Sequence, residues 1–212
     1  MDTNCSLVLL SGGKGTRFKA SQPKQYFPLQ GKPLVLHALD AALQIKEITE
    51  IIVVSHPDYY DVFSPYPIKL APAGILRQDS VLSGLQKVSH PWVLIHDGVR
   101  PFLYPDDISQ LLKKAQETGA AALASEIPYT IKQRDPVKTI NRDQLAMIHT
   151  PQCLKTTTLV EGISFAQKHH LILNDDTQAA ELLGMPISLV FTSHPQIKIT
   201  YPKDLAIAQA LL

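Results

Sequence analysis

Short apolar runs alternate with stretches of helical periodicity along most of the chain. The runs have the length of β-strands, and we expect strands at residues 7–10, 51–55, 68–71, 92–95, 120–127, 187–191 and 197–200. Between them, apolar residues recur every three or four positions, as on one face of a helix, within residues 34–43, 81–88 and 108–115. This alternation predicts an α/β fold, a mostly parallel twisted sheet flanked by helices on both faces.

One interval, residues 128–148, departs from this alternation. Its short alternating segments flank a turn at Asp135-Pro136 and are polar on both faces, which predicts a protruding β-hairpin, or β-arm. An isolated hairpin is marginally stable in water, so such an arm needs a partner surface. The full length of 212 residues is otherwise that of one domain. We therefore expect a single domain over residues 1–212 that carries the arm.

Charge and cysteine usage narrow the class of protein. The formal net charge is +1, which gives no reason to expect a nucleic-acid or membrane binder. Cys5 and Cys153 lie far apart without a C-x-x-C motif, which argues against a disulfide framework or a structural zinc site and suits a reducing compartment. The N-terminus lacks a secretory signature, and no apolar run approaches the roughly 18 residues of a membrane span. These features predict a soluble, cytoplasmic protein.

The loop that follows the first apolar run is rich in glycine and in positive charge. After Ser11 it carries Gly12, Gly13, Gly15, Lys14, Arg17, Lys19 and Lys24. The Walker pattern is absent, and the dinucleotide fingerprint meets Phe18 where its third glycine belongs. Backbone N–H groups in such a loop can bind a polyphosphate that nearby cations neutralise, with Lys24 and Arg17 as the strongest pair. The alternative is a flexible, solvated surface loop.

The motif "HDGVRP" at residues 96–101 places a carboxylate and a guanidinium after another buried strand. Asp97 and Arg100 form a loop salt bridge or helix cap, or else Asp97 binds a hydroxyl or Mg²⁺ while Arg100 binds a phosphate. We interpret His96 as a packing residue, and Asp175 and Asp176 as caps of the helix that follows them. The sequence offers cations and amides but no obvious nucleophile. That combination fits phosphoryl or nucleotidyl transfer, in which the substrate supplies the attacking oxygen.

The same motifs resemble those of a known family. "LLSGGKGTRF" at residues 9–18, followed by "PKQY", resembles the signature of nucleotidyltransferases that act on sugar or polyol phosphates. "RQDSVLSGLQ", "HDGVRP", "TPQ", "IKIT" and "DLAIA" follow in order and make the chain similar to the 2-C-methyl-D-erythritol 4-phosphate cytidylyltransferase family. The resemblance implies a nucleotide-binding α/β domain that forms a homodimer through its β-arm. It also implies CTP and a polyol phosphate as substrates, with no nucleic acid and no membrane as partners.

The resemblance further implies roles for individual residues. Lys24, Arg17 and Lys198 would stabilise charge on the α-phosphate, and Mg²⁺ would bridge the CTP phosphates with Asp97 as a candidate ligand. The nucleotide would lie on a set made up of Ser11, Gly12, Gly13, Gly15, Gly74, Ser80 and Gly98. The polyol phosphate would meet a second set made up of Asp97, Arg100, Thr130, Arg142, Thr150 and Asn174.

The chain departs from the family pattern at a few positions, and rival functions remain. Ile75 stands where an acid is usual, Asn174 where threonine is usual, and Gln196 where asparagine is usual. The nearest rival is a cytidylyltransferase for another polyol phosphate, such as ribitol 5-phosphate or a glycerol phosphate. A second is a catalytically silent nucleotide-binding domain on the same fold, although the three cations together speak against it. A Rossmann dehydrogenase is disfavoured by Phe18.

Overall fold

The predicted alternation produces a seven-stranded sheet in the part of the chain that the computed structural model describes, residues 4–13, 15, 18 and 22–212. Its strands are β1 (Cys5–Leu10), β4 (Ile48–Ser55), β5 (Lys69–Pro72), β6 (Trp92–Asp97), β7 (Ala120–Ser125), β10 (Met147–Lys155) and β11 (Ser188–Phe191). Their order across the sheet is β11-β7-β10-β6-β1-β4-β5. β10 runs antiparallel to both of its neighbours, and the other pairs are parallel. The mostly parallel sheet is thus confirmed.

Helices cover both faces of the sheet, as predicted. They are α1 (Leu34–Leu43), α2 (Arg77–Leu85), α3 (Pro105–Thr118), α4 (Thr156–Lys168), α5 (Gln178–Leu182) and α6 (Lys203–Leu211). Leu7 and Leu9 of β1 belong to the core formed with α1 and α3, whereas Val8 belongs to the core formed with α2 and α4. Because successive strand residues face opposite sides, a strand buried on both faces must be apolar throughout. This is why β1 appears in the sequence as an unbroken apolar run.

The structure differs from the prediction at residues 197–200, which do not form a strand. The Ile199 N–H donates to the Val99 carbonyl at 2.9 Å, and the Ile199 carbonyl accepts from Lys24 Nζ at 2.7 Å. Val99 follows β6, and Lys24 belongs to the loop region after β1. The apolar segment therefore lies beyond the carboxyl ends of these strands, where Ile199 is buried in a small third core.

The prediction also missed β10, the antiparallel strand inside the sheet. Its polar residues His149, Thr150 and Gln152 interrupt the apolar pattern, yet all three are buried. The strand pairs with β6 over residues 152–155 and with β7 on its other side, where the register is irregular between Ile148 and Gln152. These polar side chains are free to make specific contacts at the site described below.

The predicted β-arm is present as a hairpin. β8 (Ile131–Gln133) pairs antiparallel with β9 (Lys138–Ile140), and a short 3₁₀ turn at Arg142–Gln144 leads into β10. A second small antiparallel pair, β2 (Pro28–Leu29) with β3 (Lys32–Pro33), precedes α1. The turn at Arg142–Gln144 joins the hairpin to β10, so the arm extends from one end of this strand of the sheet.

Among the described residues, no helix combines the length and the apolar character that crossing a bilayer requires.

Candidate active site

A cleft of about 690 Å³ lies at the carboxyl ends of the parallel strands. Its walls come from the loop after β1, the segment after β5, the end of β6 and the loop that contains Lys198. The lining residues include Gly12, Gly13, Gly15, Lys24, Gln25, Gly74, Arg77, Ser80, Asp97 and Lys198. This is the edge at which open α/β sheets bind their ligands. The structure therefore brings together residues that are far apart in the sequence.

The glycine-rich loop is held in place by two side chains of the "PKQY" motif. Gln25 Nε2 donates to the carbonyl oxygens of Ser11 and Gly13, both at 2.7 Å. The Tyr26 hydroxyl contacts the Ser11 carbonyl at 3.1 Å, and the Ser11 N–H donates to Val54 at 2.7 Å. Ser11 is itself buried, so its backbone groups fix the loop within the fold. Gln25 was not among the predicted site residues, although its position beside Lys24 in the motif was the available signal.

Two glycines explain how closely this loop packs. A Cβ on Gly12 would lie 2.2 Å from Ala73 Cβ, a distance that real atoms do not adopt. Gly15 has φ +63, in the left-handed region that glycine tolerates best, with the Lys24 side chain within 3.2 Å of a built Cβ. A Cβ on Gly13, by contrast, would meet no atom of the described residues within 4 Å. Among the described glycines of this loop, Gly13 is therefore the open one, and it lines the cleft.

The second wall of the cleft is shaped by Gly74 and Ser80. The Gly74 N–H donates to Ser80 Oγ at 3.0 Å, and a Cβ on Gly74 would lie 2.4 Å from Asp79 Cβ. Ile75, at the departure from the family pattern, is 98% exposed at the cleft mouth. The Gly98 N–H donates to the Leu10 carbonyl at 2.8 Å, so this predicted nucleotide contact is engaged within the fold.

The predicted lysines Lys24 and Lys198 occupy the same end of the cleft. Lys24 is 9% exposed, and its Nζ donates to the carbonyl of Ile199, the residue next to Lys198. Lys198 Nζ lies 2.7 Å from Asp97 Oδ2. Lys198 thus pairs with a carboxylate of the cleft, and the Lys24 ammonium is held at the backbone of the residue next to Lys198. Arg17, the third predicted cation, lies outside the described residues.

Asp97 sits between cations on both of its carboxylate oxygens. Arg77 Nη2 lies 3.2 Å from Oδ1, and Lys198 occupies Oδ2. Burial opposes ionisation, but Arg77, Lys198 and Arg100 outweigh it and hold the pKa of the Asp97 carboxyl well below its usual range. Asp97 is therefore a carboxylate at neutral pH.

Arg77 was not identified from the sequence as a site residue, yet it connects two carboxylates. Its guanidinium forms a two-pronged pair with Asp176, at 2.8 and 2.7 Å, while it also contacts Asp97. The prediction that Asp176 caps a helix is wrong, because the side chain of this buried residue is committed to Arg77. Asp175 Oδ1 performs the capping instead, accepting from the Gln178 N–H at 2.9 Å. The residue-level signal was the arginine that opens α2, directly behind the Gly74 loop.

Gln152 holds the backbone of Asp176, the carboxylate that pairs with Arg77. Its Oε1 accepts from the backbone N–H groups of Asp176 at 2.7 Å and Thr177 at 3.0 Å. Gln152 belongs to the buried strand β10 and is itself 1% exposed. The "TPQ" motif thereby anchors the loop that carries Asp176, a role that its sequence alone does not reveal.

Thr150 and His96 hold the backbone of the "HDGVRP" loop. Thr150 Oγ1 accepts from the Asp97 N–H and contacts His96 Nδ1, both at 3.1 Å, while His96 Nε2 contacts the Arg100 carbonyl at 3.0 Å. A carbonyl only accepts, so His96 carries its proton on Nε2 and the Thr150 hydroxyl donates to Nδ1. Burial lowers the pKa of His96 to about 4. The packing role predicted for His96 is confirmed, and Thr150 supports the site from beneath.

A family model described as IspD, 2-C-methyl-D-erythritol 4-phosphate cytidylyltransferase, matches residues 5–212. The chain belongs to this family. A curated protein of the same name from Chlamydia felis is 64% identical over 212 residues, which cover 100% of both chains.

Solved structures of cytidylyltransferases from this family share the fold. The crystal structure of 2-C-methyl-D-erythritol 4-phosphate cytidylyltransferase from Francisella tularensis aligns with a TM-score of 0.85 at 27% identity, covering 99% of this chain and 100% of that chain. The corresponding crystal structure from Thermus thermophilus gives a TM-score of 0.82 at 28% identity, with 98% of each chain covered. The family resemblance seen in the sequence motifs is thus confirmed.

Of the six residues predicted to meet the polyol phosphate, Asp97 is the one in the cleft lining of the described chain. Arg100 and Thr150 are buried outside that lining, and the other three are exposed. Thr130 and Arg142 are exposed on the arm, where Arg142 Nη1 donates to the Pro128 carbonyl at 2.8 Å. Asn174 is exposed, and its N–H donates to Gln178 Oε1 at 2.8 Å. The described part of one chain does not bring these three residues to the cleft lining.

The described residues fit a magnesium ion that the substrate itself largely holds. They contain no group of three or more His, Cys, Asp or Glu side chains arranged to hold a metal ion. Asp97 is the carboxylate in the cleft lining of the described chain, and both of its oxygens already contact cations. Mg²⁺ commonly combines one or two carboxylates with substrate phosphates and water. The donor set therefore suits an ion that enters with a polyphosphate.

Proposed function

We propose that this chain transfers the cytidylyl group of CTP to 2-C-methyl-D-erythritol 4-phosphate and releases pyrophosphate, in the non-mevalonate route to isoprenoid precursors. The observation that carries the proposal is the family match over residues 5–212. The cleft supports it, because its lining combines the glycine loop with the two lysines Lys24 and Lys198. Such a site neutralises phosphate charge and needs no nucleophilic side chain.

In the proposed reaction, the triphosphate of CTP lies along Gly13 and Gly15. A phosphate oxygen of the polyol substrate forms a bond to the α-phosphorus, while the bond from that phosphorus to the oxygen bridging to the β-phosphate breaks. The leaving pyrophosphate carries away the electron pair. Lys24 and Lys198 stabilise the negative charge on the α-phosphate as it develops, and Arg17 assists them by its match to the family motif.

The nucleoside would rest against the second wall of the cleft. Gly74 and Ser80 shape this wall through their own hydrogen bond, and Gly12 allows the opposing loop to approach Ala73. Ser11 and Gly98 contribute by fixing the backbone around the base and ribose rather than by offering their N–H groups. Mg²⁺, held by the CTP phosphates with Asp97 nearby, would neutralise further phosphate charge when bound.

The acceptor substrate would meet Asp97 and Arg100, whose backbones Thr150 and His96 hold, with Asn174 at the outer edge. We propose that Thr130 and Arg142 complete this end of the site from the arm of a second subunit. Exposed apolar side chains on the arm and at its base, Tyr129, Val137 and Met147, support docking of the arm on another surface. A symmetric dimer would exchange arms between its two subunits.

We also propose a cytoplasmic location. Cys5 and Cys153 are both free and buried in the structure. Buried thiols of this kind are typical of proteins that work in a reducing compartment.

The test of the activity is pyrophosphate release from CTP against a panel of acceptors. We expect methylerythritol phosphate with CTP and Mg²⁺ to give by far the highest kcat/KM, above ribitol phosphate, glycerol phosphate and sugar 1-phosphates. UTP in place of CTP serves as the control for the base. A clear preference for ribitol phosphate, or for UTP, would overturn the substrate assignment while leaving the fold untouched.

A further inference from the structure

Arg100 is a buried guanidinium whose hydrogen bonds are only partly used. Its Nη1 donates to His149 Nδ1 and to the Gln196 carbonyl, both at 3.3 Å. Its Nε is buried and has no hydrogen-bond partner among the described residues. Asp97 Oδ2 lies 3.9 Å from Nε, which is too far for a hydrogen bond. The Nε edge is thus a free, buried donor on the side of Asp97, and Asp97 lines the cleft.

The position of that donor depends on what holds the opposite edge of the guanidinium. Nη1 carries two hydrogens, and its two acceptors, an imidazole nitrogen and a carbonyl, can each take one of them. Two anchors on a single nitrogen fix the plane of the guanidinium, because rotating it would break at least one of the bonds. His149 is one of those two anchors, and it is 5% exposed.

The proton of His149 can be assigned from its partners. A guanidinium only donates, so Nδ1 must present a lone pair to Arg100. His149 Nε2 lies 2.8 Å from Ser125 Oγ at the end of β7, and this nitrogen carries the remaining hydrogen. A second proton on the ring would face the Arg100 cation, and burial together with Arg100 lowers the pKa of His149 to about 4. The ring is therefore a neutral acceptor whose orientation Ser125 sets.

We propose that His149 is a positioning residue, which holds Arg100 through Nδ1 so that the free Nε edge is presented to the acceptor substrate. The inference rests on the proposed function, since Arg100 meets the polyol phosphate there. It adds a chain of hydrogen bonds from Ser125 on β7, through His149 on β10, to Arg100 in the loop after β6. The chemistry requires a neutral acceptor at position 149, and a glutamine side chain can supply one.

Two substitutions separate this role from simple packing. His149→Leu removes the acceptor while keeping an apolar side chain of moderate size, and His149→Gln keeps an acceptor. We expect His149→Leu to raise the KM for the polyol phosphate roughly ten-fold, the value of a hydrogen bond to a charged group, with the KM for CTP little changed. His149→Gln should recover most of the loss. His169→Gln, at an exposed histidine, is the matched control and should behave as wild type.

A second measurement does not depend on turnover. Nitrogen NMR of the wild-type protein labelled in its histidines should show His149 as the neutral Nε2–H tautomer at neutral pH, with the resonance assigned by its disappearance in His149→Gln. The opposite tautomer, or a doubly protonated ring, would overturn the proposal. Unchanged kinetics in His149→Leu, or equal losses in the Leu and Gln variants, would do the same. A wild-type protein that transfers no cytidylyl group but shows the Nε2–H tautomer would refute the proposed function alone.

Discussion

The cleft and the β-arm are held together in opposite ways. In the cleft, side chains form hydrogen bonds with partners that are distant in sequence. Arg77 pairs with Asp176, and Lys24 donates to the carbonyl of Ile199. In the arm, the described hydrogen bonds are local, as between Lys132 and Thr139 or between Arg142 and Pro128. The described part of the cleft is therefore held by contacts within one chain. The hydrogen bonds described for the arm side chains hold its own residues together, so their proposed role depends on the surface that the arm meets.

The largest expected effect comes from removing one of the two lysines of the cleft. Lys24→Ala or Lys198→Ala should lower kcat by ~10²–10³, equivalent to roughly 3–4 kcal/mol, because each deletes a preorganised charge at the transition state. The measurement is kcat beside a thermal melt. Lys113→Ala, on the exposed surface of α3, is the control. Near-wild-type kcat in both cleft variants would show that the cleft does not work as proposed.

Breaking the Arg77 pair should reveal how far the order of the cleft depends on buried charge. Arg77→Met leaves the Asp176 carboxylate buried without its partner, which should cost about 3 kcal/mol in the free energy of unfolding and reduce turnover as well. Adding Asp176→Asn should recover most of the stability, because no buried charge is then left unpaired.

Turnover should not recover in that double variant, since Asp97 still lacks the Arg77 cation on Oδ1. Urea unfolding and steady-state kinetics, measured on the same preparations, separate the two effects. Recovery of turnover along with stability would mean that Arg77 matters only for folding.

Complementation between two inactive variants tests the arm directly. Mixing Arg142→Ala subunits with Lys24→Ala subunits should restore roughly a quarter of wild-type activity, because random exchange makes half of the dimers mixed and each mixed dimer has one intact site. The assay is pyrophosphate release, with mass spectrometry to verify the exchange. If exchange occurs and the mixture stays as inactive as its parents, the arm serves its own subunit or none. A monomer in sedimentation would argue against sharing just as directly.

The smallest expected effect is a pH dependence of stability beneath the cleft. Burial lowers the pKa of His96 to about 4, so the unfolded chain binds a proton between that value and the ordinary histidine value while the folded chain does not. Stability contributed by neutral His96 is present above about pH 6.5 and is lost as the pH falls, by about 1 kcal/mol at about pH 5.5.

Urea unfolding followed by the fluorescence of Trp92, on β6, measures this dependence. His96→Gln should remove about half of the slope between about pH 7 and about pH 5.5, because the pKa of His149 is lowered to about 4 as well. His169→Gln should leave the slope unchanged. An unchanged slope in His96→Gln would assign the acid sensitivity to another group.

The sequence predicted those features that follow from local periodicity or from a motif. The strands with continuous apolar runs, the flanking helices and the hairpin were all visible, because burial on both faces or exposure on both faces leaves a pattern. β10 was missed because its buried residues are polar, and hydrophobic periodicity does not register them. Arg77 and Gln152 were missed as site residues for a related reason: their partners, Asp176 and its neighbour, are brought close only by the folded chain.

The contact between Lys198 and Asp97 affects which anions can bind in the cleft. The Lys198 ammonium already forms an ion pair with the Asp97 carboxylate at 2.7 Å. Any incoming anion must compete with this carboxylate, which belongs to the same chain and is always present beside the lysine. Chloride, sulfate or free phosphate offers a single weak contact in exchange, whereas a triphosphate brings several charges and its own magnesium. An anion that binds Lys198 must therefore replace the Asp97 carboxylate, which favours an anion with several charges over one with a single charge.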